Sequence, residues 1–231
     1  SGAAETETQL ALAGHPRQIA LLEKYLALRG VGPGKCLLTF GVTGERRQNA
    51  LSLRQTRRVL RVFGGVYTGG LLGRTWARNR FRFPYLRHGL WEAGYLVDTL
   101  ETATDWGNLD TLRQAIEESL SQGLTDQNER VHVFSHLSHV YGQGSSLYVT
   151  YLFRPGPDYA TALSRWQTLK HAASRTIASH GGTISRQHGV GRDHAPFLVA
   201  EKGKLGLAAL GALARHFDPE QRLAPGVLLE Y

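Results

Sequence analysis

The 231-residue sequence predicts an α+β fold, a largely antiparallel sheet with helices stacked on one face. Three observations carry this. Arg130–Tyr141 and Ser146–Arg154 are strand-like runs on either side of a Gly142-Gln143-Gly144 turn, which is a hairpin signal. From Asp158 onward, Tyr159, Ala162, Leu163, Trp166, Leu169, Ala173 and Ile177 recur at helical spacing, so a long helix offers one apolar stripe. No strand–GxGxxG–helix unit and no P-loop occurs, so the chain carries no familiar nucleotide-phosphate cradle of its own.

The elements follow in order. The first seven or so residues are polar and small and are expected to be loose. Pro16 to Arg29 reads as a helix with Ile19, Leu21, Leu22, Tyr25, Leu26 and Leu28 on its apolar side, ended by Gly30. Gly32-Pro33-Gly34 is a turn, and Cys36 to Val42 is a compact apolar run that predicts a buried strand. Glu45 to Phe63 reads as a helix closed by Gly64-Gly65. A basic connection with Trp76 leads to a short helix over Phe83–Ala93, with Leu86, Leu90 and Trp91 turned inward. Tyr95–Thr104 alternates like a half-buried strand, and Asp105 is placed to cap a helix from Trp106 to Gln122. After the hairpin, Asp158 caps the long helix and Gly181-Gly182 ends it. Pro196 sits at a helix start carrying Glu201 and Lys202, and Gly203 to His216 is a last helix.

Net charge is +8, carried by 22 Arg and 5 Lys. Such a field draws anions of any size. Arg54, Arg57 or Arg58, and Arg61 share one helix face, but no aromatic residues interleave with them, so a solvated face is expected and nucleic acid is not an expected partner. No apolar run approaches membrane-spanning length, and no secretory signal opens the chain. The single Cys36 excludes an internal disulfide framework and fits a reducing, cytoplasmic setting, with membrane association left open. There is no methionine at all, and the expectation is a processed product or an excised fragment.

Candidate chemistry is concentrated in Gly181–Lys202. Arg186, Gln187 and His188 stand directly before Gly189-Val190-Gly191, followed by Arg192-Asp193-His194. The two glycines permit positive φ or close approach to a ligand, and a tight connection with solvated side chains accounts for them as well. His132, His136 and His139 suggest a metal at first sight. On a regular strand, however, His132 and His136 face one way and His139 the other, so no metal site is expected. No GxSxG elbow supports a hydrolase triad. Pattern alone leaves Tyr148 as a core aromatic or a functional phenol, Arg87 as a surface cation or a ligand, and His188 as a loop residue or a base.

Four ordered blocks join these residues: FPYLRHGLWEAGYLVDTLETATDW, SHLSHVYGQGSSLYVTYLF, GGTISRQHGVGRDHAPFLVAEKGKLG and FDPEQRLAPG. From about Thr6 to Leu229 the chain resembles the C-terminal half of FAD-linked oxidases of the vanillyl-alcohol-oxidase type. The likeness is to the alkyldihydroxyacetonephosphate synthase branch. It implies that residues 1–231 form a cap domain supplying the substrate pocket and one flavin-facing wall. FAD is then held mainly by an N-terminal domain outside this chain, which becomes a partner, and a homodimer is left open. The resemblance makes Arg87 and the Arg186-Gln187 pair substrate-binding, for an anionic or acyl-linked small molecule. Tyr148 and His188 become catalytic, and His188, Gly189 and Gly191 border the cofactor.

Departures accompany the likeness. Arg186 and Gln187 replace two of three histidines, His88 stands where an acid is common, and Val227 ends a segment that otherwise ends in lysine. A sister branch oxidises 2-hydroxy acids with a metal, and its metal segment survives here only as His139, with Gln187 in place of a carboxylate. That branch is the second enzymatic reading, and a basic interaction module is the non-enzymatic one.

Overall fold

The computed structural model describes residues 2–12 and 16–229, and for residues 11, 12, 82–84 and 86 the backbone only. The chain divides into two units, residues 1–88 and 89–231. Lys and Arg outnumber Asp and Glu by 15 to 4 in the first unit, whereas the second has 12 against 15. The basic excess therefore belongs to the first unit, and any pull on anions in the second must come from locally placed cations.

In the first unit, α1 (Ala3–Leu12), α2 (Pro16–Leu28), α3 (Arg46–Val62) and α4 (Leu71–Asn79) follow one another. The amino-terminal residues expected to be loose thus form a helix, and part of the basic connection is α4. Among the described residues Cys36–Val42 pairs with no strand and lies outside regular structure, because an apolar run makes a strand only where an edge is available to pair. The expected apolar side of α2 is largely open, with Leu21 71% and Leu28 87% exposed. A turn of 3-10 helix (Arg80–Tyr85) leads into α5 (Leu86–Glu92), shorter than the predicted helix. Trp91 is 61% exposed rather than turned inward, Leu90 is half-buried, and the Leu86 side chain lies outside the described residues.

The second unit holds the sheet. Its strands β1 (Leu96–Asp105), β2 (His132–Val140) and β3 (Gly144–Phe153) lie in the order β1-β3-β2, both pairings antiparallel. This is the predicted architecture. Alternation along β3 buries Leu147, Val149, Tyr151 and Phe153 on one face, with Leu100 of β1 beside them. Against that face lie α6 (Trp106–Gln122), through Leu112, Ile116 and Leu120, and α7 (Tyr159–Ser179), through Leu169, Ala173 and Ile177. Each such residue is fully or almost fully buried, and the leucines, isoleucines, valine and phenylalanine among them are worth roughly 1.5–3 kcal/mol apiece by transfer. Asp158 caps α7 by accepting from the Thr161 N–H at 2.7 Å, whereas Asp105 stands at the start of α6 without a side-chain cap.

A buried polar knot ties α7 to the sheet. Asp98 Oδ2 accepts from Tyr151 Oη at 2.9 Å, Trp166 Nε1 at 2.7 Å and Lys170 Nζ at 3.0 Å. Burial pushes the Asp98 carboxyl upward, but the Lys170 charge and these donors outweigh it and hold the group below its ordinary value. Burial beside Asp98 likewise pushes the Tyr151 phenol up.

After α7 the chain needs Gly181 and Gly182 for different reasons. Gly181 has φ 66°, a helix-ending conformation, while a Cβ at Gly182 would stand 2.8 Å from Thr102 Oγ1 and 2.9 Å from Leu112. The last elements are the single turn α8 (Gly191–His194) and α9 (Leu198–Phe217), which kinks at Gly203 where φ is 67°. The helix carrying Glu201 and Lys202 and the predicted final helix are therefore both present, meeting at the non-helical Gly203. Among the described residues, no helix is long and apolar enough to cross a membrane.

His194 on α8 is buried against α7, its Nδ1 3.3 Å from Ser174 Oγ. Burial and the Lys170 charge hold its imidazole below the usual 6.5, partly offset by Asp193 and Asp98. A histidine with a depressed folded value leaves more protons on the unfolded chain below pH 6.5, so its contribution to stability is lost as pH falls. Urea midpoints measured from pH 7.5 to 5.5 should fall more for the native chain than for His194→Gln. The difference should stay below about 1 kcal/mol after solvent screening. Parallel pH profiles for the two proteins would refute this.

Candidate active site

The sheet face turned away from the core carries the chemistry. Register puts Glu101, Tyr148 and His136 opposite one another on β1, β3 and β2, in one row across that face. Tyr148 stacks on His136 with ring centroids 5.2 Å apart and 15° between planes. His188 meets the same tyrosine edge-on at 5.4 Å and 76°.

Residues 183–188 reach the row because they are stitched to the free edge of β1. Thr183 N–H donates to Ala103 O at 3.0 Å and Arg186 N–H to Glu101 O at 2.8 Å, while Thr102 Oγ1 donates to Thr183 O at 2.7 Å. From α9, Glu201 Oε2 accepts from Ile184 N–H at 2.8 Å and Thr183 Oγ1 at 3.1 Å. Partial burial raises the Glu201 carboxyl, but Lys202 and these donors hold it below its ordinary value. The chain then makes a three-residue turn in which His188 N–H donates to Arg186 O at 2.8 Å. Gln187 at its centre has φ 63°, an uncommon conformation for a non-glycine residue and one that recurs at functional loops.

Glu101 is the hub, at 3% exposure. Its Oε1 accepts from Ser138 Oγ at 2.6 Å and lies 3.5 Å from His139 Nδ1, and its Oε2 lies 3.7 Å from His188 Nε2. A buried carboxyl group needs polar partners, and here a hydroxyl hydrogen-bonds it and two imidazoles lie beside it. His139 can reach it because a bulge interrupts the β2–β3 register between Leu137 and Val140. The extra residue turns His139 onto the face of His136, which corrects the expectation from strict alternation. Even so, among the described residues no three His, Cys, Asp or Glu side chains converge as a metal site.

Arg186 turns its guanidinium back along the sheet, with Nε donating to Ser146 Oγ at 3.2 Å and a terminal nitrogen to Tyr141 Oη. The same group sits 5.4 Å from the Tyr141 ring, which stacks on His139. Gln187 Nε2 lies 3.4 Å from His139 Nε2. Gly189 and Gly191 have φ 77° and 56°, and a Cβ at either would meet nothing within 4 Å. Backbone conformation by itself accounts for glycine at both positions.

The structure thus brings Tyr148, His188, Arg186 and Gln187 together. Arg87 stands exposed on α5, in the first unit. Glu101, Ser138 and Tyr141 escape sequence reasoning. A lone Glu within LETAT signals only an outward strand position, and its partners lie on two other segments.

Comparison with known proteins shows the family and the fold. The family described as FAD linked oxidases, C-terminal domain, matches residues 15–228. The alkyldihydroxyacetonephosphate synthase of Dictyostelium discoideum is 26% identical over 232 residues, covering 96% of this chain and 38% of that protein. The synthase of Trypanosoma brucei brucei is 25% identical, covering 90% and 34%. A solved alkyldihydroxyacetonephosphate synthase superposes with a TM-score of 0.63 at 20% identity, covering 95% of this chain and 37% of that one, which shows a shared fold. The chain spans little more than a third of the length of these relatives. A family match over nearly its whole length places this chain among the FAD linked oxidases, as a C-terminal domain similar to that of alkyldihydroxyacetonephosphate synthase.

Proposed function

We propose that this chain supplies the substrate pocket and one flavin-facing wall of an FAD-dependent oxidoreductase or transferase resembling alkyldihydroxyacetonephosphate synthase. The single observation that carries the reading is the Glu101–Tyr148–His136 row with His188 against the tyrosine ring. Its donor set fits a flavin. Two imidazoles and a phenol on one sheet face offer planar surfaces and hydrogen-bonding groups to a flat ring with polar edges. FAD, when bound, would supply the covalent or redox chemistry, and its phosphates would be held by an N-terminal FAD-binding domain.

This chain's residues have separable tasks. Tyr148 takes or gives the substrate proton at its phenol oxygen, and His188 packs edge-on against its ring. Glu101 orients His188 and His139 from beneath. Arg186 and Gln187 provide a cationic and an amide donor for an anionic or acyl-linked substrate. The 2-hydroxy-acid reading gains nothing from the geometry, since Gln187 supplies an amide where that chemistry uses a charged ligand.

Purified alone, the chain should take up FAD weakly. Co-purified with an N-terminal FAD-binding domain, it should carry stoichiometric FAD and exchange a fatty alcohol for the acyl group of an acyl-linked dihydroxyacetone phosphate. Tight stoichiometric FAD binding by residues 1–231 alone would overturn this division of labour.

A further inference from the structure

The far end of the same sheet face opens into a cleft of about 580 Å³, within the range of small-molecule sites. It lies four residues along β3 from Tyr148, about 13 Å away. Leu90, Tyr95, Val131 and Leu152 give it apolar walls, and Arg130 and Arg154 bring two guanidinium groups to its lining. Glu129 also lines it, but Arg165 takes up that charge at 3.6 Å, each of the two side chains being 12% exposed. Arg165 also donates to Arg154 O at 2.8 Å and to Gln127 Oε1 at 2.9 Å, so the carboxylate, the end of β3 and the preceding turn are pinned together. Arg130 and Arg154 form no ion pair with any described residue, and the Arg154 guanidinium rests 5.9 Å from the Tyr95 ring.

The second unit has no overall positive charge, so two uncompensated arginines at one apolar cleft are a local feature. Guanidinium groups are matched by carboxylate or phosphate, and the walls favour an apolar body attached to it. We propose that this cleft is a second binding site, for a small organic anion with an apolar body, separate from the Tyr148 cluster and independent of the function proposed above.

Amide shifts of the full chain, titrated at low salt, test this with phenyl phosphate, benzoate and inorganic phosphate. Saturable shifts at Tyr95, Arg130 and Leu152 are expected with at least one organic anion, and the tighter of the two identifies the head group. Arg130→Gln with Arg154→Gln should weaken binding about tenfold or more, and the corresponding double lysine variant should bind between the two. Both arginines are exposed, so melting should be unchanged; if the glutamine variant melts early, the lysine variant decides. The proposal fails if neither organic anion saturates, if shifts centre on residues 186–188, or if the double variant binds as tightly as the native chain. Equal affinity for inorganic phosphate would overturn the role of the apolar walls.

Discussion

Asp98→Ala is expected to destabilise the sheet unit by about 3–5 kcal/mol, the usual cost of breaking a buried ion pair by deleting one partner. Lys170 is 6% exposed, and without Asp98 its ammonium would keep only Thr99 O, at 2.9 Å. The Tyr151 hydroxyl and the Trp166 indole N–H would lose their acceptor at the same time. For a chain of this size the melting point should drop by roughly 6–20 °C. Trp166 fluorescence reports this unit directly, since the indole touches the altered group. Adding Lys170→Met should recover much of the loss by removing the stranded charge. A drop below 1 kcal/mol, or no recovery in the double variant, would contradict the account. Because the folded carboxyl is held below its unfolded value of about 3.8, its stabilisation is complete above that value and is lost as pH falls through the folded one.

Tyr148→Phe is expected to lower turnover of the FAD-loaded enzyme by roughly 10²–10⁴-fold, the usual contribution of a positioned acid or base. The substitution removes one oxygen and leaves the ring that stacks on His136 and receives His188, so the site geometry should persist. The loss should appear in kcat, with KM moved far less, because anion binding is assigned to other residues. Turnover within threefold of the native enzyme would remove Tyr148 from the proton-transfer role.

Much of the scaffold was readable beforehand, for reasons tied to particular residues. The Asp158 cap, the stripe from Tyr159 to Ile177 and the Gly142-Gln143-Gly144 turn are local signals, each formed by neighbours in sequence. Cys36–Val42 failed as a strand because pairing needs a partner edge, which no local pattern reveals. Trp91 and the apolar side of α2 failed for a related reason, since amphipathic spacing predicts a face but not what covers it.

The site divides along the same line. Sequence alone determined the family, the antiparallel layers and the clustering of special residues in Gly181–Lys202. Four ordered blocks and a hairpin need no knowledge of distance. Only the tertiary structure decided that Glu101 sits beneath the cluster, that a bulge turns His139 onto the face of His136, and that Gln187 occupies a left-handed turn. It also showed that Gly189 and Gly191 both hold positive φ. The physical reason is register: a carboxylate's partners are set by which strands pair, by where one extra residue enters the ladder and by which loop seals the free edge. Those are relations between segments up to 87 positions apart, as Glu101 and His188 are.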